Sequence, residues 1–305
     1  MLTEKNEIVA IRTTYGETLI ELGKQRDDIV VIDADVSCST QTQMFAKVFP
    51  ERFFNVGIAE QDAIGTAVGL SMTGKVPFVS AFAIFATGRA YDQVRNSVCY
   101  PRFNVKIVAT HGGITVGEDG ATHQALEDIS LMRGIPNMTV IIPSDAVEAR
   151  EAIKFAADYK GPVYIRLTRN SLPTIFNDEK YKFNLNKAIV IKEGKDISLL
   201  ANGETLSESL NAAKILEKRG IIAEVINVPV VKPLDKETIT LSAQKTKLVV
   251  TVENHSIIGG LGSSVCEALS EHFPVIIKRI GIEDKFGQSG KPQELMQEYG
   301  LTAEQ

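Results

Sequence analysis

Two of the four histidines fall inside one glycine-rich stretch, His111-Gly-Gly-Ile-Thr-Val-Gly-Glu-Asp-Gly-Ala-Thr-His123, with Glu118 and Asp119 between them. Imidazole and carboxylate at such close quarters suit hydrogen bonding to a polyhydroxy substrate, or proton transfer near neutral pH. A tight turn whose histidines satisfy backbone groups accounts for the pattern equally well. No H-x-x-x-H or H-E-x-x-H spacing supports a metal site. Glu60, in Gly57-Ile-Ala-Glu-Gln-Asp-Ala-Ile-Gly65, stands where a helix should begin, and an acid there already has a use in complementing the helix dipole. Phe82 and Phe85 are of the type that most often fills a core. Arg12, Arg166 and Arg169 carry the planar fork that grips an oxyanion, a role that surface arginines do not need in order to be present. Gly259-Gly-Leu-Gly262 lacks the full dinucleotide fingerprint and is better read as a close strand-to-helix turn.

These residues need a scaffold, and the alternation of β-branched runs with longer helical patterns predicts an α/β fold with mainly parallel sheets. Ile29–Asp35 reads as a strand apolar on both faces and ending in the acids Asp33 and Asp35. Further strands are expected at Pro77–Ala81, Lys106–Thr110, Thr139–Pro143 and Val163–Thr168, with helices at Glu60–Met72, Thr87–Cys99 and Ala146–Ala157. Thr14-x-x-Glu17 predicts a capping box for a first helix that stops at Gly23. Residues 173–187 are polar, carry a proline and read as a linker, which divides the chain into domains at 1–172 and 188–305. The second series has strands at Ile197–Leu200, Ala223–Val228, Lys247–Val252 and Val275–Ile280, and helices at Thr205–Arg219, Lys236–Ser242 and Gly260–Glu271. In open parallel sheets ligands sit beyond the carboxyl ends of strands, so the loops after the first domain's strands are where chemistry is expected.

Composition narrows the class. The 305 residues are 44% hydrophobic and 23% charged, as in an ordinary globular chain of about two domains. A net charge of −5 with no Lys/Arg-rich run argues against a nucleic-acid partner. Three cysteines without C-x-x-C spacing argue against a disulfide framework or a local zinc site. The polar start is no signal peptide, and the run Val76–Ala86 is too short for a membrane span. A reduced, cytoplasmic protein without a membrane partner is expected.

Five segments together resemble the C-terminal half of transketolase. They are Phe53-Phe-Asn-Val-Gly-Ile-Ala-Glu-Gln61, Ser80-Ala-Phe-Ala-Ile-Phe85, Thr110 to Gln124, Ile165-Arg-Leu-Thr-Arg-Asn-Ser-Leu-Pro173 and Val252-Glu-Asn-His-Ser-Ile-Ile-Gly-Gly-Leu-Gly262. The resemblance spans nearly the whole chain and implies a pyrimidine-binding domain followed by a transketolase C-terminal domain. It implies thiamine diphosphate as cofactor and two-carbon ketol transfer from a ketose phosphate to an aldose phosphate. Transketolases hold the diphosphate and its divalent metal, such as magnesium, through a G-D-G…N motif in an N-terminal domain, and this chain has no Gly-Asp-Gly. The resemblance is therefore to the small subunit of a split enzyme, whose N-terminal partner holds diphosphate and metal in an α2β2-type assembly.

Matched residue by residue, Glu60 would bond the pyrimidine ring nitrogen, with Ile58, Phe82, Phe85, Arg89 and Asp35 around the cofactor. His111, Asp119 and His123 would bond donor hydroxyls, with His111 and His123 catalytic beside Glu60. Arg12, Ser39 and Arg169 would grip the sugar phosphate. Where the family often has a tyrosine, this chain has Gly88 followed by Arg89. Three other readings compete: a deoxyxylulose-phosphate synthase, which usually has Asp-Arg in place of Thr110-His111; a 2-oxo-acid dehydrogenase β-subunit, which lacks the paired-histidine loop; and a non-catalytic paralogue, which retention of Glu60, His111, Asp119 and His123 opposes.

Overall fold

Ile29-Val-Val-Ile-Asp33 is buried at every residue, as expected of a strand with helices on both sides. A computed structural model describes residues 2–3 and 7–305, which form two α/β domains with mainly parallel sheets. The strands of the first part are β1 (Ile8–Ala10), β2 (Ile29–Asp33), β3 (Phe53–Asn55), β4 (Val76–Ser80), β5 (Lys106–Ala109), β6 (Thr139–Ile141), β7 (Val163–Arg166) and β8 (Ser171–Pro173). Those of the second are β9 (Ile189–Lys192), β10 (Ile197–Ala201), β11 (Ala223–Asn227), β12 (Val230–Lys232), β13 (Leu248–Ser256) and β14 (Ile276–Ile282).

The larger sheet has the order β12-β6-β7-β5-β4-β2-β3, and the smaller β14-β13-β10-β11-β9. In the larger sheet Asp33 stands opposite Ser80 and Ala109 opposite Arg166, which brings the carboxyl ends of β2, β4, β5 and β7 to one edge. The helices Ile11–Gln25 and Ala146–Asp158 pack on one face, while Ala63, Ile64 and Ala67 of helix Glu60–Met72 pack on the other. The domains share a core. Strand β12 joins the first domain's sheet antiparallel to β6, and Leu200, Ile226, Val228 and Leu261 lie in the same buried cluster as Met132, Val140 and Ile142.

Several expectations need correction. The first helix begins at Ile11 and not at Thr14, because the fully buried Ile11 and Tyr15 draw the first turn onto the sheet; Thr14 is an interior position and caps nothing. Gly23 does not end that helix, which runs to Gln25. A Cβ there would come within 2.6 Å of Phe49 and 2.7 Å of Phe45, so the glycine permits close helix packing. Strand β2 stops at Asp33, and Asp35 follows in a left-handed bend with φ 64°. Thr87–Cys99 is not a plain α-helix but two π-helical turns, Phe85–Arg89 and Val94–Cys99, around a short α-turn. Residues 173–187, expected as a linker, run between the two domains docked against the first. β8 pairs with β1, the Ile175 and Phe176 amides donate to Asp145 Oδ2 at 2.7 and 2.8 Å, and the buried Tyr181 donates its hydroxyl to Glu148. Its polar composition hides two aromatic anchors, Phe176 and Tyr181, which pack on each other. In the second domain the helix expected at Lys236–Ser242 continues to Thr246, and β13 continues to Ser256.

Candidate active site

The loops at the carboxyl edge of the larger sheet bring most of the expected residues together. Phe82 pairs in register with Thr110 just beyond β4 and β5, which sets its ring against that of His111 with centroids 3.9 Å apart. Phe85 stacks on Phe82 at 6.2 Å, and His123 meets Phe85 edge-on at 5.2 Å. The π-turn Phe85–Arg89 then carries Arg89 back over the Phe85 ring, with the guanidinium carbon 4.5 Å from the centroid. From there Arg89 Nη1 donates to both oxygens of Glu60, at 2.9 and 2.8 Å.

Glu60 is the first residue of helix Glu60–Met72 and is only 4% exposed. Its helix-start position and its place in the site are compatible, since both favour an acid there. Ile58, on the preceding turn, is 77% exposed, an unusual setting for isoleucine. The acids that end β2 divide their roles. Asp33 is fully buried and accepts from the Val36 amide and the hydroxyls of Thr40 and Thr42, anchoring the turn that bears Ser39. Burial raises the Asp33 carboxyl above the usual carboxylate range. Asp35 is exposed and accepts from Asn55 at 2.9 Å.

His111 is a non-glycine residue at φ 62°, and Thr110 Oγ1 lies 2.8 Å from its Nδ1. Burial, reinforced by Arg12, Arg169 and His123, holds its pKa down to about 3, so it acts as a neutral imidazole at pH 7. Next to this aromatic row, Arg12 and Arg169 line a cavity of about 290 Å³ with Glu118, Asn170, Ser171 and Pro292. Arg12 is held by the Ser39 carbonyl at 3.0 Å, and Arg169 donates to the Val116 carbonyl and lies 3.9 Å from Asp119.

Arg166 does not share that cavity. It is buried, donates to Asp128 at 2.7 Å and to the carbonyls of Ala125 and Asn254, and so has no fork to offer an oxyanion. The Gly259–Gly262 turn likewise serves structure. The amides of Leu261 and Gly262 donate to the buried Glu253 carboxylate at 2.7 and 2.8 Å, which fills the place a phosphate would take. Pro292 reaches this cavity from the far end of the chain, and no local sequence pattern marks it.

The chain matches known family models over most of its length. Residues 7–174 match the model described as "Transketolase, pyrimidine binding domain", and residues 186–305 match "Transketolase, C-terminal domain". The chain belongs to the transketolase family. A relative from Methanocaldococcus jannaschii, described as a putative transketolase C-terminal section, is 52% identical over 296 residues, covering 96% of this chain and 93% of the relative. A Clostridium protein described as a 6-deoxy-6-sulfo-D-fructose transketolase subunit is 44% identical over 295 residues, covering 97% of this chain and 91% of that one. Among solved structures, one described as a split-gene transketolase, inactive β4 tetramer, superposes with a TM-score of 0.91 at 51% identity, covering 97% of this chain and 95% of that one. Among the described residues no helix is long and apolar enough to cross a membrane.

Proposed function

We propose that this chain is the small subunit of a split transketolase that moves a two-carbon ketol unit from a ketose phosphate to an aldose phosphate together with an N-terminal partner subunit. The observation that carries the reading is the unbroken contact series Glu60, Arg89, Phe85, His123, Phe82 and His111, ending beside the arginine-lined cavity. Relatives of nearly the same length described as a transketolase section and a subunit support a divided enzyme.

The residues fit thiamine diphosphate. A stacked phenylalanine pair beside a buried carboxylate suits a flat heteroaromatic ring with a hydrogen-bonding nitrogen. When bound, the cofactor would supply the carbanion chemistry by which the two-carbon unit changes owners. Glu60 would bond the ring nitrogen. One carboxyl oxygen would share a proton with that nitrogen, while Arg89, which engages both oxygens through the single nitrogen Nη1, stays in place and aims the group. Ile58 and Asp35, both exposed, would face the cofactor where the partner subunit closes over it, and the partner would hold the diphosphate and a divalent metal such as magnesium. The neutral imidazole of His111, with His123 and Asp119, would hydrogen-bond the donor hydroxyls and the oxygen on which charge develops. Arg12 and Arg169, with Ser39 nearby, would hold the terminal phosphate. The Clostridium relative's substrate carries a sulfonate, another terminal oxyanion, which is the same recognition problem for an arginine fork. The assembly would be of α2β2 type and cytoplasmic.

Co-expression with the N-terminal partner and assay of transfer from xylulose 5-phosphate tests the reading. Turnover by the complex and none by this chain alone is expected. Robust turnover by this chain alone sinks the divided-enzyme reading, and an inactive but assembled complex sinks the transfer reading.

A further inference from the structure

The stretch that carries His111, Asp119 and His123 belongs to the first domain, yet its middle is gripped by the second. Asn254, on β13, accepts the Ile114 amide through Oδ1 at 2.8 Å and donates through Nδ2 to Thr115 and to Glu204. Glu204, just before helix Thr205–Lys218, also accepts the Thr115 hydroxyl at 2.7 Å and the Thr168 hydroxyl at 3.4 Å. Thr168 directly precedes Arg169, so one carboxylate joins the histidine loop to the arginine of the neighbouring cavity. All four side chains are buried, with Asn254 3% and Glu204 8% exposed. The approach leaves no slack. Gly113 sits at φ 88°, and a Cβ there would come within 2.4 Å of Asn254 Nδ2. At the loop's other end Gln124 Nε2 donates to the carbonyls of Ile114 and Gln288, at 3.0 and 2.9 Å, a second tie across the domains.

We infer that Asn254 and Glu204 are positioning residues, by which the second domain sets the donor-binding loop of the first. Neither touches the cavity residues' free groups, and both act through the loop backbone and through Thr115 and Thr168. The network is buried and satisfied mainly within itself, which gives it one preferred geometry. A loop resting on a glycine-rich backbone would otherwise sample many. The inference rests on the proposed function for its catalytic meaning but not for its structural one.

The test uses the full chain, alone and in complex with its partner, as Asn254→Ala and as the milder Thr115→Val. Tyr181→Phe, which removes a buried hydroxyl bonded to Glu148 away from the loop, serves as the stability control. Hydrogen exchange read by mass spectrometry on the chain alone should rise at least tenfold across residues 112–124 in Asn254→Ala, with a smaller rise in Thr115→Val. Exchange there should be unchanged in Tyr181→Phe. In the complex, kcat for ketol transfer should fall tenfold or more in Asn254→Ala, while Tyr181→Phe keeps wild-type kcat even if its Tm drops as far. Loop exchange at the wild-type level in both loop variants overturns the inference, as does a kcat loss in Tyr181→Phe equal to that in Asn254→Ala. If Asn254→Ala does not fold, Thr115→Val decides by the same readings. If the wild-type complex transfers nothing, the proposed function fails and the exchange measurement still decides whether the second domain positions the loop.

Discussion

Replacing Glu60 by glutamine separates a catalytic acid from a structural one. The amide keeps the shape of the side chain and can still accept one hydrogen bond from Arg89, whose Nη1 now serves both carboxylate oxygens at 2.9 and 2.8 Å. A hydrogen bond to a charged group contributes roughly 1.5–3 kcal/mol when buried. Glu60 is buried, but the Arg89 side chain is 45% exposed, which places this pair near the lower end. An acid in the first turn of a helix adds roughly 0.3–1 kcal/mol. With one hydrogen bond retained, the net destabilisation comes to about 1–2 kcal/mol, read as a fall of a few degrees in Tm. The expected loss of activity is far larger, roughly 10²–10⁴-fold, because an amide cannot share the proton that general acid–base assistance requires. Circular dichroism checks the fold, a thermal melt reads the stability loss, and deuterium exchange at the cofactor's thiazolium carbon in the assembled complex reads activation. Exchange at the wild-type rate would refute the assignment and leave Glu60 as a helix-start acid paired with Arg89.

Arg169→Ala should raise the Michaelis constant for phosphorylated donors and acceptors roughly ten- to hundredfold and leave hydroxypyruvate nearly unaffected. Because Arg169 also donates to the Val116 carbonyl, equal losses on both substrates would mean that it supports the histidine loop instead. Glu148→Gln should change how stability responds to pH. Burial pushes the Glu148 carboxyl up to about 8 from an ordinary 4.5, so the folded state keeps a proton that the unfolded chain releases. Its contribution is present in full below about pH 4.5 and is lost as the pH rises through about 8. Melting temperatures between pH 5.5 and 8 should therefore shift in favour of the glutamine variant as pH increases, and a constant difference would contradict a protonated Glu148.

The resemblance was legible because its residues are consecutive. Gly57 to Gln61, Ser80 to Phe85 and Thr110 to Gln124 each state their pattern within a few positions, and the two-domain α/β fold follows from period and β-branched runs in the same local way. Errors gathered where burial overrides local preference. Thr14 looks like a cap until Ile11 and Tyr15 are seen to be fully buried, and the polar composition of residues 173–187 gives no sign that Phe176 and Tyr181 anchor the linker. Asp33 and Asp35 are two letters apart, yet one is buried under two threonines and the other exposed, which alternation along a strand does not settle once the strand has ended.

By itself the chain's order of residues determined which groups would be available: an acid at a helix start, two phenylalanines after a strand, paired histidines in a glycine-rich loop and arginines beside them. Tertiary structure decided what each of them is committed to. Arg89 reaches Glu60 across 29 positions, Arg166 is spent on Asp128 across 38, and Asn254 holds the histidine loop across 140. Hydrogen bonds and ion pairs act over a few ångströms in space and are indifferent to separation along the chain. Composition and spacing therefore name the candidates, while only the packing of the two sheets and their loops chooses among a guanidinium's several eligible partners.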